Sequence, residues 1–344
     1  METDPSMQIF DWKLFRRDVR RDVRNCALFL FFFFAIYIIA ALVVVVAHVL
    51  TSPSFLGMMS DPTALMGMAG PFSNPEVSNL TDDLTASLEE SAGLMSIVSI
   101  AAGSCVFFIL RKRRFITDLA MPMSEPLTPK IFIVLVLATQ AIQLVYSLIV
   151  MLVDELLPEG LSILENYGEA MAGLSNPIGI AYIVLIGPIF EELIFRGAVM
   201  GTLRRYGDNF AIIISSLLFG FYHAIILQIP FGFVMGLLLG YAAARWSLRV
   251  SIALHIIVNG LSALLSETGN EDFATAGGLA MITCTILTVV FWIKWRDVFK
   301  ARVRSGAAYY SGTYANGFSS IALWIFLVVM AAAGVLMMSV MPTL

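Results

Sequence analysis

Long apolar runs recur along this 344-residue chain and restrict its fold more than any other feature. They lie at 26–50, 92–110, 131–153, 178–203, 209–227, 231–244, 251–265, 276–293 and 319–340, separated by short charged or polar segments. A helix needs roughly 20 apolar residues to cross the hydrocarbon of a bilayer. No water is present there, and a helix satisfies its own backbone N–H and C=O groups. The expected fold is therefore all-α: a polytopic transmembrane helical bundle of about nine spans. The run at 231–244, which follows Pro230, is short and has a re-entrant reading as well.

With 59% hydrophobic and 13% charged residues, the composition excludes a soluble globular domain. Placement of charge says more than the net value of -4. With a cytoplasmic N-terminus, alternating spans leave every Lys and Arg except Arg196 on the cytoplasmic side. The outer loops beginning at 51, 154 and 267 then carry acids only, as the positive-inside rule requires. The expected location is the cell membrane, multi-pass. The first apolar run is longer than the core of a cleavable signal peptide and lacks a small-residue cleavage site, so it reads as a retained helix. Cys26, Cys105 and Cys284 have neither metal-ligand nor disulfide spacing and read as small apolar residues. The basic runs are juxtamembrane, and no nucleic-acid partner is expected. The lipid bilayer is an expected partner; a membrane-associated protein or peptide is the further partner expected if the polar residues described below carry out hydrolysis.

Four segments are expected: a basic cytoplasmic N-terminal segment at 1–25, transmembrane helices with acidic outer loops at 26–177, a helical core at 178–265 that carries the candidate catalytic residues described next, and C-terminal transmembrane helices at 266–344. The acidic stretch 154–172 interleaves apolar residues, which suits a short surface helix or an ordinary connecting loop. Gly232, Gly236 and Gly240 recur at every fourth position, a small-residue ridge on which another helix can pack closely.

The chemistry concentrates in 178–203, where Glu191, Glu192 and Arg196 interrupt an apolar run. Ionisable groups at membrane depth cost a few kcal/mol each and mark functional sites by default. Glu192 and Arg196 stand at i, i+4 and can pair on one helix face. Glu191 is turned about 100° away, free to face another helix. Of three histidines, His48 lies near the outer end of the first run and reads as interfacial. His223 follows Phe219 by one helical turn, and His255 shares a face with Asn259. At 1.5 Å per residue these groups lie about 12–20 Å from the cytoplasmic helix ends, so they can converge.

A carboxylate desolvated among helices acquires the basicity of a general base. With His223 beside it, Glu191 could hold and deprotonate water, and His255 and Asn259 could donate to a developing oxyanion. These are the parts of acyl-transfer hydrolysis by activated water. Other readings stand beside it. The Glu–Arg pair suits a structural clip, and each buried His or Asn suits ordinary packing. A non-catalytic membrane scaffold or immunity-type protein could use the cluster for binding. A secondary transporter would carry a proton or ion relay, but residues 1–177 hold no repeat-related polar cluster. Glu191, His223 and His255 could also serve as zinc ligands, although no His-Glu-x-x-His helix is present and a further nitrogen or thiolate ligand is missing. No cofactor is expected, with zinc as the alternative.

Glu-Glu-x-x-x-Arg at Glu191, Glu192 and Arg196, then Phe-x-x-x-His at Phe219 and His223, then His-x-x-x-Asn at His255 and Asn259, each on an apolar run, resemble one known family. It is the CAAX protease and bacteriocin-processing (CPBP, abortive-infection) family of intramembrane endopeptidases, which includes type II CAAX prenyl endopeptidases. The resemblance covers roughly 178–265 and rests on three motifs in order. It implies a helical bundle with its site inside the membrane. In it Glu191 activates water with His223, His255 and Asn259 hold the oxyanion, and Glu192 and Arg196 order the helix. The family is often labelled metallopeptidase; metal-free, glutamate-dependent hydrolysis suits these residues better.

Overall fold

A computed structural model describes residues 11–60, 89, 91–105, 123, 125–158, 162–267 and 271–340. Among them every regular element is helical. In chain order these are α1 (Trp12–Thr51), α2 (Pro53–Ser60), α3 (Ser91–Cys105), α4 (Pro129–Glu155), α5 (Ile163–Ala172) and α6 (Pro177–Tyr206). They continue with α7 (Asp208–Tyr222), α8 (Gln228–Arg245), α9 (Leu248–Glu267), α10 (Glu271–Ser305), α11 (Thr313–Phe318) and α12 (Ile321–Val340). Most of the loop after α2, with its Asn79-Leu80-Thr81 glycosylation sequon, and the basic run 111–114 lie outside the described residues.

Among the described residues, five helices are long and apolar enough to cross a membrane: α1, α4, α6, α9 through Leu265, and the Thr275–Ser305 part of α10. Helices α3, α7 and Ile321–Leu336 of α12 are apolar but shorter. The chain is thus an all-α polytopic membrane protein. Three boundaries differ from the expectation. Helix α1 starts at Trp12, because Asp11 accepts from the backbone N–H groups of Lys13 and Leu14 and caps it inside the basic segment. The basic linker after 293 continues as helix to Ser305. The run at 209–227 stops being helical at Tyr222, and Ala224 takes a positive φ of 50°.

Local chemistry explains the other ends. Thr128 and Asn176 cap α4 and α6, each followed by a proline whose missing N–H costs nothing at the first helical position. Between α6 and α7 the backbone turns at Gly207, with φ of 120°. A Cβ there would also meet the Ala307 carbonyl at 2.7 Å, so the turn needs glycine twice over.

Two buried clusters hold the bundle. Val19, Val23, Ala27, Leu30 and Phe33 form one stripe of α1 and pack with Phe195 and Val199 of α6, Phe210, Ile214 and Leu218 of α7, and Leu323, Phe326 and Met330 of α12. Leu135 of α4, Met235 and Leu239 of α8, Trp246, and Val250, Leu254 and Val258 of α9 form the second. Helices α7 and α8 join at the glycine ridge. A Cβ on Gly220 would stand 2.5 Å from the Ile229 carbonyl, and one on Gly236 3.0 Å from Ser216 Cβ. Helix α10 exposes Leu279, Ile282, Ile286 and Val290 at helical spacing, the composition of a surface that faces lipid.

Candidate active site

Helix α6 is not a uniform α-helix. Tyr182–Ile186 and Leu193–Met200 wind more widely, with five-residue hydrogen-bonded turns, and the α-helical segment Gly187–Glu192 lies between them. Such wide turns occur mostly at functional positions. Glu191 and Glu192 close the short middle segment, so both carboxylates sit at a change of helical pitch.

The two acids are used differently. Glu192 is fully buried. Its Oε1 lies 3.0 Å from Arg196 Nη1 and 3.0 Å from His255 Nδ1, and its Oε2 accepts from the Ser251 hydroxyl. Arg196, equally buried, reaches the Gly236 carbonyl at 3.2 Å and lies 4.4 Å over the ring of Phe219. Gly236 has no side chain, which lets the α8 backbone come within that reach. A buried charge requires such compensation, since removing one partner leaves the other desolvated.

Glu191 stands outside this pair. Its side chain is 15% exposed, and its Oε2 is 3.7 Å from His255 Nε2. Tyr182 and Tyr222 interact electrostatically with Glu191, and Tyr37 of α1 hydrogen-bonds to Tyr182. The N-terminal helix thereby reaches the neighbourhood of the acid.

His255 bridges the carboxylates. A carboxylate facing Nδ1 accepts, so Nδ1 carries hydrogen and Nε2 is turned toward Glu191. His223 caps the end of α7 with Nδ1 2.9 Å from the Phe219 carbonyl, which likewise accepts, leaving Nε2 free for another contact. The buried Phe219 ring stands edge-on to both imidazoles, 4.9 Å from His223 and 5.8 Å from His255. His223, His255 and Arg196 thus meet at the Phe219 ring, and His255 links that group to Glu191 and Glu192. Asn259, one turn beyond His255, donates through Nδ2 to the Ile183 carbonyl at 2.9 Å. His48 faces Ser91 at 3.5 Å.

Sequence reasoning missed Ser251 and the tyrosines. Ser251, His255 and Asn259 fall at successive i+4 positions of α9, a signal that could have found the serine. Tyr222 directly precedes His223, but nothing in the spacing marks its electrostatic interaction with Glu191. For the zinc alternative, no three His, Cys, Asp or Glu side chains gather closely enough to hold a metal among the described residues. Glu192 holds one nitrogen of His255 and Phe219 holds one of His223. Both imidazoles keep Nε2 available, but with Glu191 they do not gather into a three-donor group among the described residues.

Two comparisons bear on this geometry. The family model described as type II CAAX prenyl endopeptidase Rce1-like matches residues 173–261, a span that begins just before α6 and ends just past Asn259. The membrane-embedded CAAX protease MroQ of Staphylococcus aureus (strain USA300) is 28% identical over 190 residues, covering 52% of this chain and 76% of MroQ. No solved structure matches the chain. All three motifs lie inside the matched span, so the likeness of this chain to CAAX-type membrane proteases is concentrated where the site residues are.

Proposed function

We propose that this protein is an intramembrane endopeptidase that hydrolyses a peptide bond of a membrane-associated protein or peptide, with Glu191 as general base. The carrying observation is the unequal use of two adjacent carboxylates. Glu192 is held by Arg196, His255 and Ser251, whereas Glu191 keeps some exposure and faces the open nitrogen of His255.

In this reading Glu191 takes one proton from water, and His223 Nε2 accepts a hydrogen bond from the remaining O–H and orients the molecule. The hydroxide attacks the scissile carbonyl. With its ring protonated at both nitrogens, His255 donates from Nε2 to the oxyanion while Glu192 holds Nδ1. Glu191 then delivers its proton to the leaving amine as the C–N bond breaks. Glu192 and Arg196 keep α6 and α9 in register and do not touch the reacting atoms. The placement of Lys and Arg supports a cytoplasmic N-terminus.

Purified protein in detergent, tested on a library of hydrophobic internally quenched peptides, decides the matter. Wild type is compared with Glu191→Gln and His223→Ala, each with and without a zinc chelator. The expected result is cleavage that both substitutions abolish and chelation leaves intact. Full cleavage by Glu191→Gln would overturn the mechanism. Loss on chelation with recovery on added zinc would assign the reaction to a metal.

A further inference from the structure

Asn259 stands opposite a gap that proline makes in α6. Where the wide turn Tyr182–Ile186 ends, the Gly187 N–H reaches five residues back and donates to the Tyr182 carbonyl. The next donor in that register would be residue 188, aimed at the Ile183 carbonyl. Residue 188 is proline and has no N–H. The Ile183 carbonyl receives a hydrogen bond from Asn259 Nδ2 instead, at 2.9 Å. A carbonyl left without a donor inside a membrane protein costs free energy comparable to a lost hydrogen bond, so the pairing has a physical cause.

We infer that Asn259 is a positioning residue: it supplies from α9 the donor that Pro188 withholds, and so holds the turn of α6 that leads into Glu191. Helix α9 then grips α6 at three successive i+4 levels. Ser251 holds Glu192, His255 spans Glu192 and Glu191, and Asn259 holds the backbone before Pro188. Glu191 lies three residues beyond the proline, so a shift of this turn carries the carboxylate with it. A misplacement of about 1 Å costs about 100-fold in rate. The inference rests on Glu191 being the reacting group, and it differs from direct donation by Asn259 to the oxyanion.

The test is a double-mutant cycle with Asn259→Ala and Pro188→Ala, since alanine at 188 restores the missing N–H. Cleavage of the quenched peptides and the thermal unfolding midpoint in detergent are read for all four proteins. The expected result is a kcat loss of about tenfold or more for Asn259→Ala with little change in KM. In the Pro188→Ala background that loss shrinks at least tenfold, and the unfolding penalty shrinks with it. An undiminished kcat loss in that background, with the unfolding penalty relieved, would make Asn259 an oxyanion donor and overturn the inference. Additive unfolding penalties, a readout that needs no peptide cleavage, would overturn it equally, because they would show that the Asn259 bond does not stand in for the N–H missing at Pro188. Glu191→Gln, run in parallel, reports separately on the general-base reading.

Discussion

His255 Nδ1 lies 3.0 Å from Glu192 Oε1, although the two residues are 63 positions apart and each sits inside its own apolar helix. The contact fixes the hydrogen on Nδ1 and turns Nε2 toward Glu191. One carboxylate thereby orients the imidazole that faces the other.

That division predicts opposite phenotypes for neighbouring residues. Glu192→Ala leaves the buried Arg196 charge with less compensation, and breaking a buried pair in this way costs about 3–5 kcal/mol. Thermal unfolding in detergent should show a large drop for Glu192→Ala and a small one for Glu191→Gln. Similar drops for both would contradict the assignment of support to Glu192.

Phe219 is the ring that His223, His255 and Arg196 share. Phe219→Leu removes the cation–π contact, worth about 1–2 kcal/mol in a desolvated setting, and frees both imidazoles to turn. Peptide cleavage should fall more than stability does. Cleavage at the wild-type rate would show that the ring does not position the histidines.

The seam of α7 and α8 is equally sensitive. Gly220→Ala places a Cβ 2.5 Å from the Ile229 carbonyl, which must move because backbone cannot rotate aside. Overpacking of this kind costs about 1–3 kcal/mol. The unfolding midpoint should drop, and cleavage should fall because His223 lies three residues further along. Gly168→Ala, where nothing lies within 4 Å, serves as the silent control.

Asp154 ties the end of α4 to the start of α5 by accepting from the Ile163 N–H at 2.6 Å, the Leu164 N–H at 3.2 Å and the Ser162 hydroxyl. Asp154→Ala should release α5, read as faster backbone hydrogen exchange over 163–172 while exchange in α9 stays unchanged. Unaltered exchange in α5 would mean that Tyr167, which accepts from Gln228 at 3.1 Å, is sufficient to hold it.

Much of the fold was legible from hydropathy alone, because backbone in lipid has few ways to satisfy its hydrogen bonds. The all-α membrane architecture, the i, i+4 spacing of Glu192 and Arg196, and the close seam at Gly232, Gly236 and Gly240 all follow from residue type and spacing. Those are local properties, set within one helix by its own periodicity. The three motifs also carry the resemblance to CAAX-type proteases, and the matched span contains all of them. What the sequence could not determine is how separate helices face one another. The wide turns of α6 change the pitch at Glu191, so rotation counted at 100° per residue no longer gives its direction. The Ser251 contact to Glu192, the tyrosines near Glu191 and the Asn259 bond to Ile183 each join residues of different elements. Only tertiary packing decides such partners, because a buried polar group takes whichever complementary atom the neighbouring helix brings within reach.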